Sequence, residues 1–235
     1  MANKLMNGEP NSTLKHVVEM AKSAIPPVHP AGRPFILAGL SVSLLGIRWA
    51  PFRWLGLGFA AASAAFFRNP ARVTPGDENA VIAVSDGEIC AVDFAVPPTE
   101  SGLGAHAMLR ISTFLSITDV HVQRAPITGT VVSVNHQSGQ FHSADLPETS
   151  ETNERNTVVI ETAAGTKVAA VQVAGMVARR IVCDVTTGDV LASGTLYGLI
   201  RFGSRIDLYL PDAAQPQVIL GQRAVGGETI LARLP

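Results

Sequence analysis

The sequence predicts a mainly β domain, of the β-sandwich or hammerhead-like kind with some α+β elements, preceded by an N-terminal helical membrane-associated segment. Three observations predict it. From Asn79 onward the chain is a succession of short β-type runs punctuated by glycine, whereas Phe35–Ile47 and Leu55–Phe67 are charge-free apolar runs. At 235 residues and 47% hydrophobic composition, with positive mean hydropathy, the chain buries a core and has apolar surface left for a membrane.

The net charge of -1 hides a segregation. Residues 1 to 76 carry eight lysines and arginines against Glu9 and Glu19, while residues 77 to 163 carry twelve acids against Arg110, Arg124 and Arg155. A basic end beside an acidic body suits attachment to an anionic surface. The acidic body shows no basic-aromatic face, which argues against nucleic acid as a partner.

Taken in order, Leu14, Val17, Val18, Ala21 and Ile25 recur at helical spacing, so an amphipathic helix is expected over 13–25, stopped by Pro26-Pro27. The two apolar runs follow, separated by Arg48-Trp-Ala-Pro-Phe-Arg53. A spanning helix needs about 20 apolar residues, so neither run crosses a bilayer alone and a hairpin over 35–67 is expected. Trp49 and Trp54 belong at an interface, and the absence of any acid between Glu19 and Asp77 suits anionic headgroups. Pro70 and Pro75-Gly76 mark a linker, dividing a membrane-associated region, 1–76, from a β-rich region, 77–235. The expected location is the cytoplasmic face of the cell membrane, with monotopic attachment.

Strands are expected at Val81–Val84, Glu88–Phe94, Met108–Ile117, Thr130–Asn135, Thr157–Thr162, Lys167–Val173, Arg180–Val185, Ile206–Leu210 and Thr229–Leu234. The stretches "SDGEICAV", "ITGTVVSV" and "GQRAVGGETILA" share a glycine-led rhythm reminiscent of lipoyl or biotinyl hammerheads. No lysine sits at a turn there, as a carrier domain requires. Cys90 and Cys183 have no metal spacing and read as buried thiols.

Alternation from Arg205 to Leu210, and a similar pattern from Leu199 to Phe202, is interrupted by Gly203-Ser204. Alone, the dipeptide reads as a bulge or a hairpin turn. Its surroundings say more. "YGLIRFGSRIDLYLP", with "DVHVQRAPITG", "NERN" and "AGMVARRI", closely resembles the phosphatidylserine decarboxylases, pyruvoyl enzymes that make phosphatidylethanolamine. The likeness runs from about Phe66 onward and is to the short, membrane-associated bacterial branch.

The resemblance implies self-cleavage between Gly203 and Ser204, giving a β chain of 1–203 and an α chain of 204–235 that remain together as a heterodimer, with a higher oligomer open. It implies a pyruvoyl group derived from Ser204, with neither metal nor PLP, forming a Schiff base with phosphatidylserine. A serine hydroxyl beside an unhindered glycine carbonyl is chemically suited to the first step. Asp86, in an Asp-Gly pair that otherwise reads as a turn, matches the aspartate that orients the base. His121 matches the first histidine of the family's His-x-x-His motif, tied to proton transfer, and Arg124 stands in place of the second. Arg124, Arg179 and Arg180 are candidates for the substrate's carboxylate or phosphate. His106, His136 and His142 are weaker candidates. Two other classes remain in view: a membrane-anchored lipoyl-like β adaptor, and a serine hydrolase using Ser204, His121 and Asp86, for which the usual nucleophile elbow is missing.

Overall fold

The structure is a computed structural model that describes residues 26–143, 152–176, 180–201 and 203–235. The helix expected over 13–25, and Arg179, lie outside the described residues. Two helices, α1 (Arg33–Leu45) and α2 (Ala50–Phe66), precede the strands. These are β1 (Ala80–Ile82), β2 (Gly87–Ala95), β3 (Met108–Leu115), β4 (Val122–Arg124), β5 (Gly129–Gln137), β6 (Arg155–Glu161), β7 (Lys167–Ala174), β8 (Ile181–Cys183), β9 (Val190–Leu191), β10 (Leu196–Ile200), β11 (Ser204–Leu210), β12 (Gln215–Pro216), β13 (Arg223–Ala224) and β14 (Ile230–Arg233). The fold is mainly β, and each strand expected from the sequence has a counterpart. The short strands β4, β9, β12 and β13 carry too few residues for a visible period.

Eight strands form one antiparallel sheet in the order β13-β2-β3-β11-β7-β6-β5-β9. Two smaller sheets, β1-β14-β12 and β4-β10-β8, complete the body. Val81, Leu231 and Ala232 from one small sheet, and Tyr197 and Ile200 from the other, join Ile111, Ile160, Ile206 and Leu208 in a single core. Both small sheets therefore fold over one face of the large one. Bulges at Cys90 in β2 and Val132 in β5 curl that sheet. Gly87 and Gly129 open these two strands, and a Cβ at either would strike the carbonyl oxygen of Phe114 or Glu161. Close approach of backbones explains the glycine rhythm seen in the sequence. Cys90 and Cys183 are free and only half-buried, not enclosed as expected.

β11 is the pivot. Ile206, Leu208 and Leu210 face the main core, while Tyr209 on the other face packs with Met108, Val159, Ala169, Val171 and Val173. Despite the alternation of polar and apolar residues along it, all seven residues are buried. The charges survive there because Arg205 Nε meets Asp207 Oδ1 at 2.9 Å and an Arg205 terminal nitrogen donates to Oδ2 at 3.1 Å.

The helices reverse the usual sorting of side chains. They pack on each other through Gly39, Ser43, Gly56, Ala60 and Ser63, and a Cβ on Gly39 would lie 2.8 Å from Ala60 N. Leu37, Leu44, Leu45, Trp49, Phe52, Trp54, Leu55 and Phe59 all point outward and are exposed. Small residues thus line the seam and large apolar residues form a contiguous exposed surface outside it. At 1.5 Å per residue the helices are roughly 20 and 25 Å long, short of the hydrocarbon thickness of about 30 Å. No helix among the described residues is long and apolar enough to cross a membrane.

The buried pair on β11 gives a stability test. Asp207→Ala in the uncleaved chain should cost about 3–5 kcal/mol, because it leaves Arg205 buried without its carboxylate. Urea unfolding reads this, and the double replacement Arg205→Leu with Asp207→Leu should recover most of the loss. A double variant as weak as the single would show that the pair is not the source.

Candidate active site

Ser204 is the first residue of β11, in register with Leu115 on β3 and Ala174 on β7. Its side chain is fully buried, and Oγ has no hydrogen-bond partner. A buried hydroxyl without a partner is costly; Ser85, Ser112, Thr157 and Tyr197 carry others, and Ser204 differs from them in following a left-handed glycine at a sheet switch. Gly203 before it adopts φ +58°, the left-handed region that glycine enters freely. No atom lies within 4 Å of where a Cβ would stand, so conformation and not crowding selects glycine.

The chain does not form a bulge or a hairpin at this point. β10 belongs to a small sheet and β11 to the large one, so the chain passes from one layer to the other between Ile200 and Ser204. A cut between 203 and 204 falls outside every strand and removes no ladder pair from either sheet.

His121 stands across from this switch. Ser204 pairs with Leu115 at the end of β3, and Leu199 pairs with Val122 at the start of β4, so the 116–121 turn and the 200–203 switch run side by side. The imidazole is fully buried, with Nδ1 2.9 Å from the Asp119 carbonyl oxygen. A carbonyl only accepts, so Nδ1 carries the proton and Nε2 the lone pair. Nε2 is buried and has no partner. Burial pushes the ring's pKa down to about 4, opposed by the hydrogen bond and charge of Asp119 and reinforced by the charge of Arg68. His121 is therefore a neutral imidazole with an unused lone pair near neutral pH. Phe66, the last residue of α2, covers it with ring centroids 4.3 Å apart. Arg68 ties the same helix end to the turn by donating to Thr118 O at 2.8 Å.

Asp86 is not the group that orients this ring. Its carboxylate accepts from Arg72 at 2.9 and 2.7 Å and from Gly226 N at 2.8 Å. The ring is set by the Asp119 backbone, while the Asp119 carboxylate holds Arg223 and, at 2.8 Å, Ser116 N. A carbonyl two residues upstream achieves what the resemblance assigned to a distant aspartate, and no motif betrays it. Arg124 belongs to the Asp86 side: it donates to Gly194 O at 3.0 Å, Asn69 Oδ1 at 2.6 Å and Pro70 O at 2.9 Å. Burial and the neighbouring Arg72 lower its pKa. Arg180 is exposed and its carbonyl accepts from Arg201 N at 3.3 Å, which places it at the switch. His106, His136 and His142 are exposed.

The residues of "NERN" frame Ser204 from behind. Asn153 Nδ2 donates to Ala174 O at 2.8 Å, on the residue that pairs with Ser204. Asn156 Nδ2 donates to Gln172 Oε1 at 2.7 Å, and Gln172 Nε2 donates in turn to Gln123 Oε1. This buried amide chain links β6 and β7 to β4, two residues from His121. Gly198 leaves the room it needs, since a Cβ there would lie 3.1 Å from Gln172 Nε2. Gln172 lies in a run that read as an apolar strand, and Gln123 lies in a quoted motif without drawing attention of its own.

Burial of His121 gives a signed pH dependence. Between about 6.5 and about 4 the unfolded chain takes a proton that the folded chain refuses. Stability should therefore fall as pH drops through that window, by about 3 kcal/mol in total. Denaturant titrations at several pH values read the slope, and His121→Gln should flatten it. An unchanged slope in that variant would place the acid sensitivity elsewhere.

A family model described as phosphatidylserine decarboxylase matches residues 59–232. The phosphatidylserine decarboxylase proenzyme of Mycobacterium ulcerans is 56% identical over 229 residues, covering 97% of this chain and 95% of the relative. That of Mycobacterium avium is 54% identical over 227 residues with the same coverage, and that of Mycobacterium tuberculosis 56% over 218 residues, covering 93% and 94%.

Proposed function

The chain belongs to the phosphatidylserine decarboxylase family, an enzyme acting on that lipid, and we propose that it arms itself by cleavage at Gly203-Ser204, leaving a pyruvoyl group at position 204. The observation that carries this reading is the Ser204 hydroxyl, buried and unpaired at a sheet switch beside a left-handed glycine. Ser204 Oγ attacks the Gly203 carbonyl carbon as its proton passes to Nε2 of His121, the C–N bond breaks, and an ester replaces the amide. Loss of the Ser204 Cα proton then expels the Gly203 carboxylate by β-elimination. The enamine left behind tautomerises, takes up water and releases ammonia.

The enclosed position of Ser204 fits the group it would become. A ketone there supplies the electron sink for the pair left when CO2 departs, as PLP does elsewhere, with no metal required. The protein's own part is to hold the headgroup, keep water out and move a proton. Phe66 and the 116–121 turn shield the site, and His121 Nε2 accepts a proton from the substrate's ammonium group and returns it to the substrate carbon once CO2 has left. Asp86 and Arg124 act by anchoring Arg72, Gly226 and the Asn69–Pro70 linker around the site. After the cut, residues 204–235 stay in place because β11 remains between β3 and β7, so the two fragments form a heterodimer.

The apolar hairpin, seated monotopically in an anionic leaflet at the cytoplasmic face, brings this site to the plane where phosphatidylserine lies. A serine hydrolase reading needs Asp86 on His121, and Asp86 is engaged with Arg72 and Gly226 instead.

Ser204→Ala should remain one chain and release no labelled CO2 from carboxyl-labelled phosphatidylserine. Turnover by that uncleaved variant would refute the mechanism. Carbonate washing of membranes should leave the wild-type protein in the pellet, whereas complete extraction would count against a seated hairpin.

A further inference from the structure

Arg201 directly follows β10, three residues before Ser204. Its Nε is shut off from solvent without a hydrogen-bond partner, and among the described residues no carboxylate or carbonyl accepts from its side chain. Arg72, Arg124 and Arg205 by contrast each hold a carboxylate or a carbonyl. The Arg201 guanidinium instead lies over the Phe35 ring, 5.2 Å from its centroid, at the root of the hairpin. Burial and the charge of Arg180 both lower its pKa. Two cations side by side, one of them partly desolvated and with no acid among the described residues to offset them, leave a place that an anion would fill.

We propose that Arg201 and Arg180 form the site that holds the phosphodiester of the lipid headgroup. This rests on the decarboxylase reading given above and names a part of that site. The substrate brings two anions, and the chemistry selects between them. Its carboxylate leaves as CO2, and a cation gripping it would stabilise the ground state more than a transition state in which the charge has moved to carbon. The phosphodiester keeps its charge throughout, so binding there draws the lipid in without taxing the chemical step. Position agrees: Phe35 and α1 mark the lipid side, and Gly203-Ser204 marks the reacting side. The planar fork of arginine suits two phosphate oxygens at once, which a lysine does not match.

The test uses the full-length, matured enzyme in mixed micelles, with maturation of each variant checked by denatured mass. Glycerophosphoethanolamine carries the phosphodiester without a carboxylate, and free serine carries the carboxylate without a phosphodiester. Arg201→Met should raise both the KM for phosphatidylserine and the Ki of glycerophosphoethanolamine by about tenfold or more, with kcat close to wild type and Arg201→Lys intermediate. Serine inhibition should not change. If Arg201→Met fails to mature, Arg180→Met carries the same comparison. A Ki for glycerophosphoethanolamine that stays put, or a fall in kcat at unchanged KM, overturns the assignment while leaving the decarboxylase reading intact. A matured wild-type enzyme without turnover overturns that reading, and the site with it.

Discussion

Everything at the site depends on one constraint: between Ile200 and Ser204 the chain must leave a three-stranded sheet and enter the centre of an eight-stranded one. Ser204 enters the large sheet already flanked by β3 and β7, so its hydroxyl is sealed from water before it has a partner. Only glycine readily supplies the left-handed turn that makes this possible at 203. The Gly203-Ser204 bond lies in the connection, while the ladder, the inner core face and the Arg205–Asp207 pair hold Ser204 in register on the far side of it.

The second layer of the design is the hairpin root. Phe66 and Phe67 join Val120, Val122 and Leu199 in a small core beside the 116–121 turn, and His29 N donates to Phe67 O at 2.8 Å across the base of the hairpin. The segment that carries exposed leucines and tryptophans at its tip thus supplies the roof of His121 at its base. The exposed apolar hairpin and the cover of His121 are the same piece of chain, so the packing of Phe66 on the ring is part of what desolvates it.

Legibility in the sequence followed the strength of local pattern. The helical hairpin was visible because thirteen apolar residues without a charge leave few alternatives, and the strands of the large sheet were visible through β-branched runs ended by glycine. The division of the hairpin surface was not, because glycine and alanine at a seam look like ordinary helix composition. Ser204 and His121 stood out through contiguous motifs. The partner of His121 did not, since an orienting group that is a backbone carbonyl has no residue type, and Asp86 drew attention through its match to the family's aspartate. Arg201 was hidden for a different reason. Its interest lies in lacking an acid, and no sequence pattern displays a missing contact across distant segments. The amide chain Asn156–Gln172–Gln123 likewise exists only once three strands are assembled.

The central claim is that Gly203-Ser204 is a bond the protein breaks in itself to make its own ketone. The most direct measurement is the denatured intact mass of the purified protein with and without a carbonyl-trapping hydrazine. The account predicts two chains dividing between Gly203 and Ser204, with the 204–235 fragment lacking the ammonia of its former serine and gaining the mass of one hydrazone. A single catalytically active chain of 235 residues that ignores hydrazine would contradict it.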